Sequence, residues 1–167
     1  MNIKDIDSNI KKIAVIGGSA IQENCDIYDM AFEVGRSIAV KDAALVCGGL
    51  SGVMEAACRG AKEAGGLTIG ILPSTAEKDA NAWVDIRIPT GLGYARNALV
   101  VLSSHAVIAI DGAEGTLSEI GYAITFGKPL IGLNTWQIKP YEEIPSPLIR
   151  YADTPEKAVE MAMSSIS

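Results

Sequence analysis

Short apolar runs alternate with longer amphipathic segments along most of this chain. The runs are rich in Val and Ile, a composition typical of buried strands. They are Ile13–Ile16, Ala43–Cys47, Leu67–Ile71, Val84–Ile88, Ala106–Ile110 and Pro129–Leu133. Nearly continuous apolar strands of this kind fit a sheet that is covered on both faces.

Helical signals lie between most of these runs. In Asp26–Val40 the apolar residues recur about every 3.6 positions, as in an amphipathic helix. Thr154 and Pro155 have the residue types of a helix cap and first turn, and predict a last helix. The other predicted helices are Leu50–Ala64, Gly91–Ser104 and Thr116–Phe126. This alternation predicts an α/β, Rossmann-like doubly wound parallel sheet with helices on both faces.

The length of 167 residues favours a single domain over residues 1–167, in which residues 1–11 form a polar N-terminal extension. Two polar stretches interrupt the pattern, Pro73–Ala82 and Lys139–Pro147. We expect Pro73–Ala82 to be an exposed loop at a carboxyl end of the sheet.

The charge balance is acidic, with 14 Lys and Arg against 20 Asp and Glu. No basic stripe accompanies it, which argues against nucleic-acid binding but leaves a mononucleotide possible. No apolar run is long enough to span a membrane, and the N-terminus lacks a signal-peptide core. The chain is therefore expected to be cytoplasmic, without a membrane partner.

The cysteines do not form a metal-binding or disulfide pattern. There are three of them, no C-x-x-C pair occurs, and His105 is the single histidine. Cys47 and Cys58 are predicted to be small core residues. No metal site is expected.

Three glycine-rich turns carry the functional signal, because each follows an apolar run and precedes a helix. A helix N-terminus presents free N–H groups, and these bind phosphate or another small anion. Such turns at one sheet edge converge on one ligand. The predicted ligand- and phosphate-binding residues are Gly17, Gly18, Ser19, Gly48, Gly49, Asp111, Gly112, Ala113, Gly115 and Thr116. Neither the dinucleotide fingerprint nor the Walker pattern is present, which disfavours a dinucleotide oxidoreductase or a P-loop NTPase.

Three charged residues stand out in or near these turns, and each has alternative interpretations. Glu119 either contacts ribose hydroxyls and stabilises charge at an anomeric carbon, or forms a capping box with Thr116. Arg96, in a nearly uncharged segment, either pairs with a carboxylate or phosphate of the site, or forms a surface salt bridge or extends from an apolar face to solvent. Asp111 either accepts a hydrogen bond from a ligand hydroxyl or heterocycle N–H, or only shapes its turn.

Taken together, these residues resemble the Lonely Guy (LOG) family, also described as "possible lysine decarboxylase". The resemblance covers roughly residues 12–134. The family motif is Pro-Gly-Gly-x-Gly-Thr-x-x-Glu with an upstream arginine, and its matches here are Gly112, Gly115, Thr116, Glu119 and Arg96.

Three departures from the motif point to a side branch of that superfamily. Asp111 replaces the family proline, Ala113 its second glycine, and Asn97 the lysine that usually follows the arginine. The branch resembles the molybdenum cofactor carrier proteins, which bind a pterin that bears a phosphate.

The resemblance implies a phosphorylated, nucleotide-like ligand and leaves two functions open. The first is a phosphoribohydrolase, which cleaves a nucleoside 5′-monophosphate to base and ribose 5-phosphate. Glu119 and Arg96 would then be catalytic. The second is a non-catalytic carrier or sensor of a phosphorylated pterin, such as the molybdenum cofactor, or of a nucleotide. No cofactor is required, a homodimer or homotetramer is expected, and lysine decarboxylation is disfavoured.

Overall fold

The computed structural model describes residues 10–139 and 148–166. The predicted N-terminal extension therefore lies almost entirely outside the described residues, as does the predicted polar segment Lys139–Pro147 apart from its first residue.

Seven parallel strands form one sheet in the part of the chain that the structure describes. The strands are β1 (Lys12–Gly17), β2 (Ala44–Cys47), β3 (Thr68–Leu72), β4 (Ile86–Pro89), β5 (Ala106–Asp111), β6 (Leu130–Thr135) and β7 (Arg150–Tyr151). Their order in the sheet is β4-β3-β2-β1-β5-β6-β7, and all the pairings are parallel. The predicted doubly wound parallel sheet is confirmed.

Five α-helices, as far as the described residues go, cover this sheet on both faces. They are α1 (Asp26–Val40), α2 (Val53–Glu63), α3 (Asn97–Leu102), α4 (Glu114–Thr125) and α5 (Pro155–Ser164). Helices α1, α2 and α5 pack into one apolar core, while α3 and α4 pack into the other. The central strands are buried between these layers, which explains why they are continuously apolar.

Some predicted boundaries are wrong, and glycine conformation explains two of them. Gly91 and Gly93 have positive φ angles of 68° and 55°, so the predicted helix over Gly91–Ser104 becomes a short 3₁₀ turn, Gly93–Arg96, followed by α3. Gly52, with a φ of 69°, likewise delays the start of α2 to Val53. The two-residue strand β7 was not predicted, because it is too short to show a pattern.

The strand order reverses between β1 and β5, the first strands of the two halves of the sheet. In open α/β sheets, ligands bind outside the carboxyl ends of the strands at this point. Both predicted glycine turns that flank the reversal, after Gly17 and after Asp111, lie at this edge. Within the described residues, no helix is both long and apolar enough to cross a bilayer.

Candidate functional site

The first two glycine turns touch each other at the carboxyl edge of the sheet. The Gly18 carbonyl oxygen accepts a hydrogen bond from the Val53 N–H, at 3.0 Å. The Ser51 hydroxyl donates to the Ser19 carbonyl, at 2.8 Å. A Cβ atom on Gly52 would lie 2.4 Å from the Gly18 oxygen, so the two backbones approach as closely as glycine permits. The start of α2 is thereby fixed against the end of β1.

The third turn joins the first through Asp111. One carboxylate oxygen of Asp111 lies 2.8 Å from the point where a Cβ on Gly18 would stand. Asp111 has a left-handed backbone, with a φ of 52°, and its carbonyl accepts a hydrogen bond from the Thr135 hydroxyl. The structure therefore brings all three turns together, with the Asp111 carboxylate between the first and the third.

The N-terminus of α4 has no side-chain cap. Its N-cap residue is Ala113, and no side chain accepts a hydrogen bond from the first turn of the helix. The same holds for α1, α2 and α3, whereas in α5 the Thr154 hydroxyl accepts a hydrogen bond from the Lys157 N–H, at 3.2 Å. What distinguishes α4 is that its first turn lies at the junction of the glycine turns. The amide groups that open α4 thus keep the positive end of the helix dipole available to an anion.

The capping-box interpretation of Glu119 is wrong. Helix α4 begins at Glu114, two residues earlier than predicted, so Thr116 and Glu119 both lie inside the helix. Thr116 instead packs under the turn, and a Cβ on Gly112 would lie 2.7 Å from the Thr116 Cβ. Gly112 also has a φ of 135°, which favours glycine.

Arg96 and Glu119 form a buried pair below the turns. Each residue is only 6% exposed, and the Arg96 Nη1 atom lies 3.5 Å from the Glu119 Oε1 atom. The interpretation of Arg96 as a surface residue is therefore wrong. Its Nη1 also donates to the Asn97 Oδ1, at 2.6 Å, and its Nη2 to the Gly48 carbonyl, at 3.4 Å. Its Nε has no hydrogen-bond partner.

Gly48 is needed where it stands because of this guanidinium group. A Cβ at this position would lie 2.5 Å from the Arg96 Nη2 atom. The second turn therefore provides a carbonyl acceptor for Arg96, and Gly48 leaves room for the guanidinium group because it has no side chain. Gly49 follows with a φ of 74°, and a Cβ there would meet Leu72 at 2.5 Å.

Burial dominates the electrostatics of the pair. It raises the pKa of Glu119 to about 7, and the positive charge of Arg96 only partly opposes this. Burial also lowers the pKa of Arg96, against the attraction of Glu119. The 3.5 Å separation is long for a charge-assisted hydrogen bond, which agrees with a weak opposing effect. The Glu119 carboxyl group accordingly changes its charge near neutral pH.

Asn97 belongs to this cluster, although the sequence analysis treated it only as a departure from the family motif. It is 4% exposed, and its Nδ2 donates to the Ser118 hydroxyl at 2.9 Å and to the Gly115 carbonyl at 3.4 Å. Its side chain therefore links Arg96 to the first turns of α4. The available signal was the polar pair Arg96-Asn97 within an otherwise apolar segment.

A cleft of about 380 Å³ opens beside the first two turns. This volume lies within the range of small-molecule sites. Its lining consists of Ser19, Leu50, Ser51, Glu55, Asp79, Ala80 and Asn81. The last three come from the predicted loop Pro73–Ala82, and the Asn81 side chain donates to the Leu50 carbonyl at 2.8 Å. Over residues 10–139 and 148–166, no group of three or more His, Cys, Asp and Glu side chains is placed to hold a metal ion.

Comparison with known proteins identifies the family. A sequence profile described as the SLOG cluster4 family matches residues 10–162. The chain belongs to the SLOG cluster4 family. A protein of Archaeoglobus fulgidus, named "Uncharacterized protein", is 43% identical over 93% of this chain and 97% of its own length.

A second relative supports the predicted resemblance to the Lonely Guy family. The cytokinin riboside 5′-monophosphate phosphoribohydrolase of Mycobacterium tuberculosis is 30% identical over 71% of this chain and 68% of its own length. The resemblance to the Lonely Guy superfamily is confirmed.

Two solved structures support the predicted side branch. The molybdenum cofactor binding protein of Rippkaea orientalis is 36% identical, with a TM-score of 0.83 over 96% of this chain and 99% of that one. The molybdenum cofactor carrier protein of Chlamydomonas reinhardtii is also 36% identical, with a TM-score of 0.80 over 93% and 98%.

Proposed function

We propose that this protein binds a phosphorylated, nucleotide-like small molecule at the carboxyl edge of its sheet. The observation that carries the proposal is the uncapped N-terminus of α4 within a junction of three glycine turns. The phosphate would accept hydrogen bonds from the backbone N–H groups over Gly112–Thr116, at the positive end of the helix dipole.

The other turns would hold the rest of the ligand. Ser19, which is exposed at the end of β1, would contact the ligand directly. Gly17, Gly18, Gly48 and Gly49 would shape the two turns around it, since protein atoms fill the space where their side chains would stand. The adjacent cleft has room for a heterocyclic ring. The Asp111 carboxylate would accept hydrogen bonds from N–H groups of a pterin or purine, since an ionised carboxylate acts only as an acceptor.

The first candidate activity is phosphoribohydrolysis, and the buried pair supports it. In this reaction water adds to the anomeric carbon, the bond to the base breaks, and the base leaves with a proton. An ionised Glu119 would stabilise the developing positive charge of the sugar. Arg96 would orient the substrate or assist the departing base. The Mycobacterium tuberculosis relative bears the name of such an enzyme.

The second candidate activity is carriage of a phosphorylated pterin, such as the molybdenum cofactor. Asp111, Ala113 and Asn97 depart from the hydrolase motif and favour it. Its structural counterparts are 36% identical across nearly their full length and are described as binding or carrying the molybdenum cofactor. The 6% exposure of Glu119, which leaves little of its carboxylate open to a sugar, also supports this function.

One experiment separates these activities. The protein is titrated with AMP, GMP and a phosphorylated pterin by calorimetry, and the same mixtures are analysed for free base by chromatography. Release of adenine or guanine that is lost in Glu119→Gln supports the hydrolase. Saturable binding without release supports the carrier. Gly121→Ala is the control, because Gly121 lies on α4 with open space around it. Absence of binding for all three ligands would contradict both activities.

We also propose that the protein forms a homodimer or homotetramer through the face that carries α3 and α4. Large apolar side chains are exposed there and around the preceding 3₁₀ turn, and burying them would favour association. They are Leu92, Tyr94, Leu102, Leu117 and Phe126. Light scattering is expected to give a dimer or tetramer mass at micromolar concentration. A monomer mass at all micromolar concentrations tested would contradict the proposed association.

A further inference from the structure

Two buried thiols touch each other beneath the second glycine turn. The Sγ atoms of Cys47 and Cys58 are 3.5 Å apart, and both residues are fully buried. Cys47 ends β2, directly before Gly48, and Cys58 lies inside α2. The sequence placed both in the core as small apolar residues. Their contact adds chemistry that neither candidate activity uses.

We propose that Cys47 and Cys58 are a redox modification site, at which a hydroperoxide forms a reversible disulfide that shifts the second glycine turn. Three features of the structure carry this inference. The two sulfur atoms are already in contact, the Gly49 N–H donates to the Cys47 Sγ at 3.3 Å, and the Gly48 carbonyl accepts from Arg96. The disulfide itself does not depend on which ligand the protein binds.

The surroundings assign different roles to the two thiols. A hydrogen bond from Cys58, the Gly49 N–H and the positive charge of Arg96 lower the pKa of Cys47, although burial opposes them. The hydrogen bond to Cys47 and burial raise the pKa of Cys58. Because the thiolate is the nucleophile, Cys47, whose sulfur accepts from the Gly49 N–H, attacks and Cys58 resolves. Both thiols are fully buried, so the attack requires a local opening of the second turn that admits the peroxide.

The chemistry balances with one hydroperoxide. The Cys47 thiolate attacks a peroxide oxygen, the O–O bond breaks, and the released hydroxide takes a proton to become water when hydrogen peroxide is used. Cys47 is then a sulfenic acid. The Cys58 sulfur attacks the Cys47 sulfur, the S–O bond breaks, and the oxygen leaves as water with the Cys58 proton. Two thiols are oxidised to a disulfide, and the peroxide is reduced to two waters.

The disulfide would act on the ligand site through the backbone. An S–S bond is about 2.05 Å long, so the two sulfurs must move closer and draw the end of β2 towards α2. The Gly49 N–H loses its thiol acceptor at the same time. Gly48, between these residues, carries the carbonyl that accepts from Arg96. Oxidation is therefore expected to weaken AMP binding about tenfold, a typical size for coupled sites.

The modification is tested on the native full chain with hydrogen peroxide, followed by alkylation of the remaining thiols and peptide mass analysis. A Cys47–Cys58 cross-link is expected in wild type and in the control Cys25→Ser, but not in Cys58→Ser. Dithiothreitol is expected to reverse it. A cross-link that forms only in denaturant, or oxidation confined to Cys25, would overturn the proposal.

The coupling to the site is tested by AMP titration of the reduced and oxidised protein. Wild type is expected to lose affinity about tenfold on oxidation, while Cys58→Ser is unchanged. Equal affinity of the two wild-type forms would overturn the coupling. If AMP binds neither form, AMP binding fails on its own and the coupling is measured without a ligand. In that case the chemical shift of the Gly49 amide reports on the conformation of the second turn, and it is expected to change on oxidation. An unshifted resonance in the cross-linked protein would overturn the coupling.

Discussion

The two faces of the sheet are built differently. On one face, α1 and α2 approach so closely that a Cβ on Gly35 would lie 1.9 Å from the Ala57 carbonyl oxygen. A Cβ on Gly60 would lie equally close, at 1.9 Å, to the Phe32 carbonyl oxygen. On this face glycines let the helix backbones touch, and the buried side chains around them are mainly apolar.

The face that carries α3 and α4 buries polar groups instead. Arg96, Asn97, Thr116 and Glu119 are each at most 6% exposed, and they lie directly below the glycine turns. Buried charges reduce stability unless they are well paired, and Arg96 and Glu119 are 3.5 Å apart. The comparison indicates that packing on the first face adds to the free energy of unfolding, while the buried polar groups on the second face reduce it.

The largest effect is expected where helix backbones touch. Gly60→Ala forces α1 and α2 apart, because the added Cβ meets the backbone of Phe32 rather than a movable side chain. We expect a loss of about 3–4 kcal/mol in the free energy of unfolding, measured by urea denaturation. Gly121→Ala on α4 is the matched control and is expected to be neutral or slightly stabilising. Equal stability of the two variants would contradict the idea that close backbone packing on the α1–α2 face distinguishes it from the α3–α4 face.

The next effect is a pH dependence that belongs to Glu119. Its pKa in the folded protein is about 7, against 4.5 for an ordinary glutamate. The folded state therefore holds the proton more tightly, and stability falls as the pH rises from about 4.5 to about 7. The shift corresponds to roughly 3 kcal/mol.

Glu119→Gln isolates this contribution, because glutamine does not titrate. The difference in unfolding free energy between wild type and Glu119→Gln is expected to decline across that pH window and to be constant above it. A difference that does not change with pH would mean that Glu119 ionises normally in the folded protein.

A smaller effect is expected at the second glycine turn. Gly48→Ala places a Cβ against the Arg96 guanidinium, which must leave the Gly48 carbonyl and Glu119. The side chain can move, so the cost in stability is about 1–2 kcal/mol, while AMP affinity falls about tenfold. Scanning calorimetry measures the stability of the variant, and titration calorimetry measures its affinity for AMP. If Gly48→Ala binds AMP as tightly as the reference variant Gly121→Ala does, Arg96 does not contribute to AMP binding.

The smallest effect is at the helix caps. Thr154→Ala removes the hydroxyl that accepts from the Lys157 N–H, and we expect a loss of about 1 kcal/mol. Ala113→Ser, at the N-cap of α4, is expected to add a cap and to compete with phosphate for the same N–H groups. Thermal melts with and without phosphate measure both. An Ala113→Ser variant that binds phosphate as wild type does would mean that these N–H groups are not used.

Much of the fold could be predicted because it depends on local patterns. Six of the seven described strands follow from short apolar runs, α1 follows from a 3.6-residue period, and α5 follows from the residue types of Thr154 and Pro155 at its start. The two-residue strand β7 has too little sequence to show a period. The start of α4 at Glu114 also differed from the prediction, because Thr116 and Glu119 have the residue types of a capping box.

The site was only partly predictable, since its contacts join residues that are far apart in the sequence. The glycine turns could be identified individually, but the position of Asp111 against Gly18 depends on the pairing of β1 with β5. Asn97 and the contact of Cys47 with Cys58 needed the packed structure. Local sequence does not show which polar residue becomes buried or which two thiols meet.

The central claim is that α4 presents its first N–H groups to the phosphate of a nucleotide-like ligand. The most direct measurement is a titration of the ¹⁵N-labelled full chain with AMP, followed by amide resonance shifts. The largest saturable shifts are expected over Gly112–Thr116, with smaller ones at Gly18, Ser19 and Gly49. Shifts confined to residues away from the carboxyl edge would contradict the claim, as would the absence of shifts with AMP, with GMP and with the phosphorylated pterin.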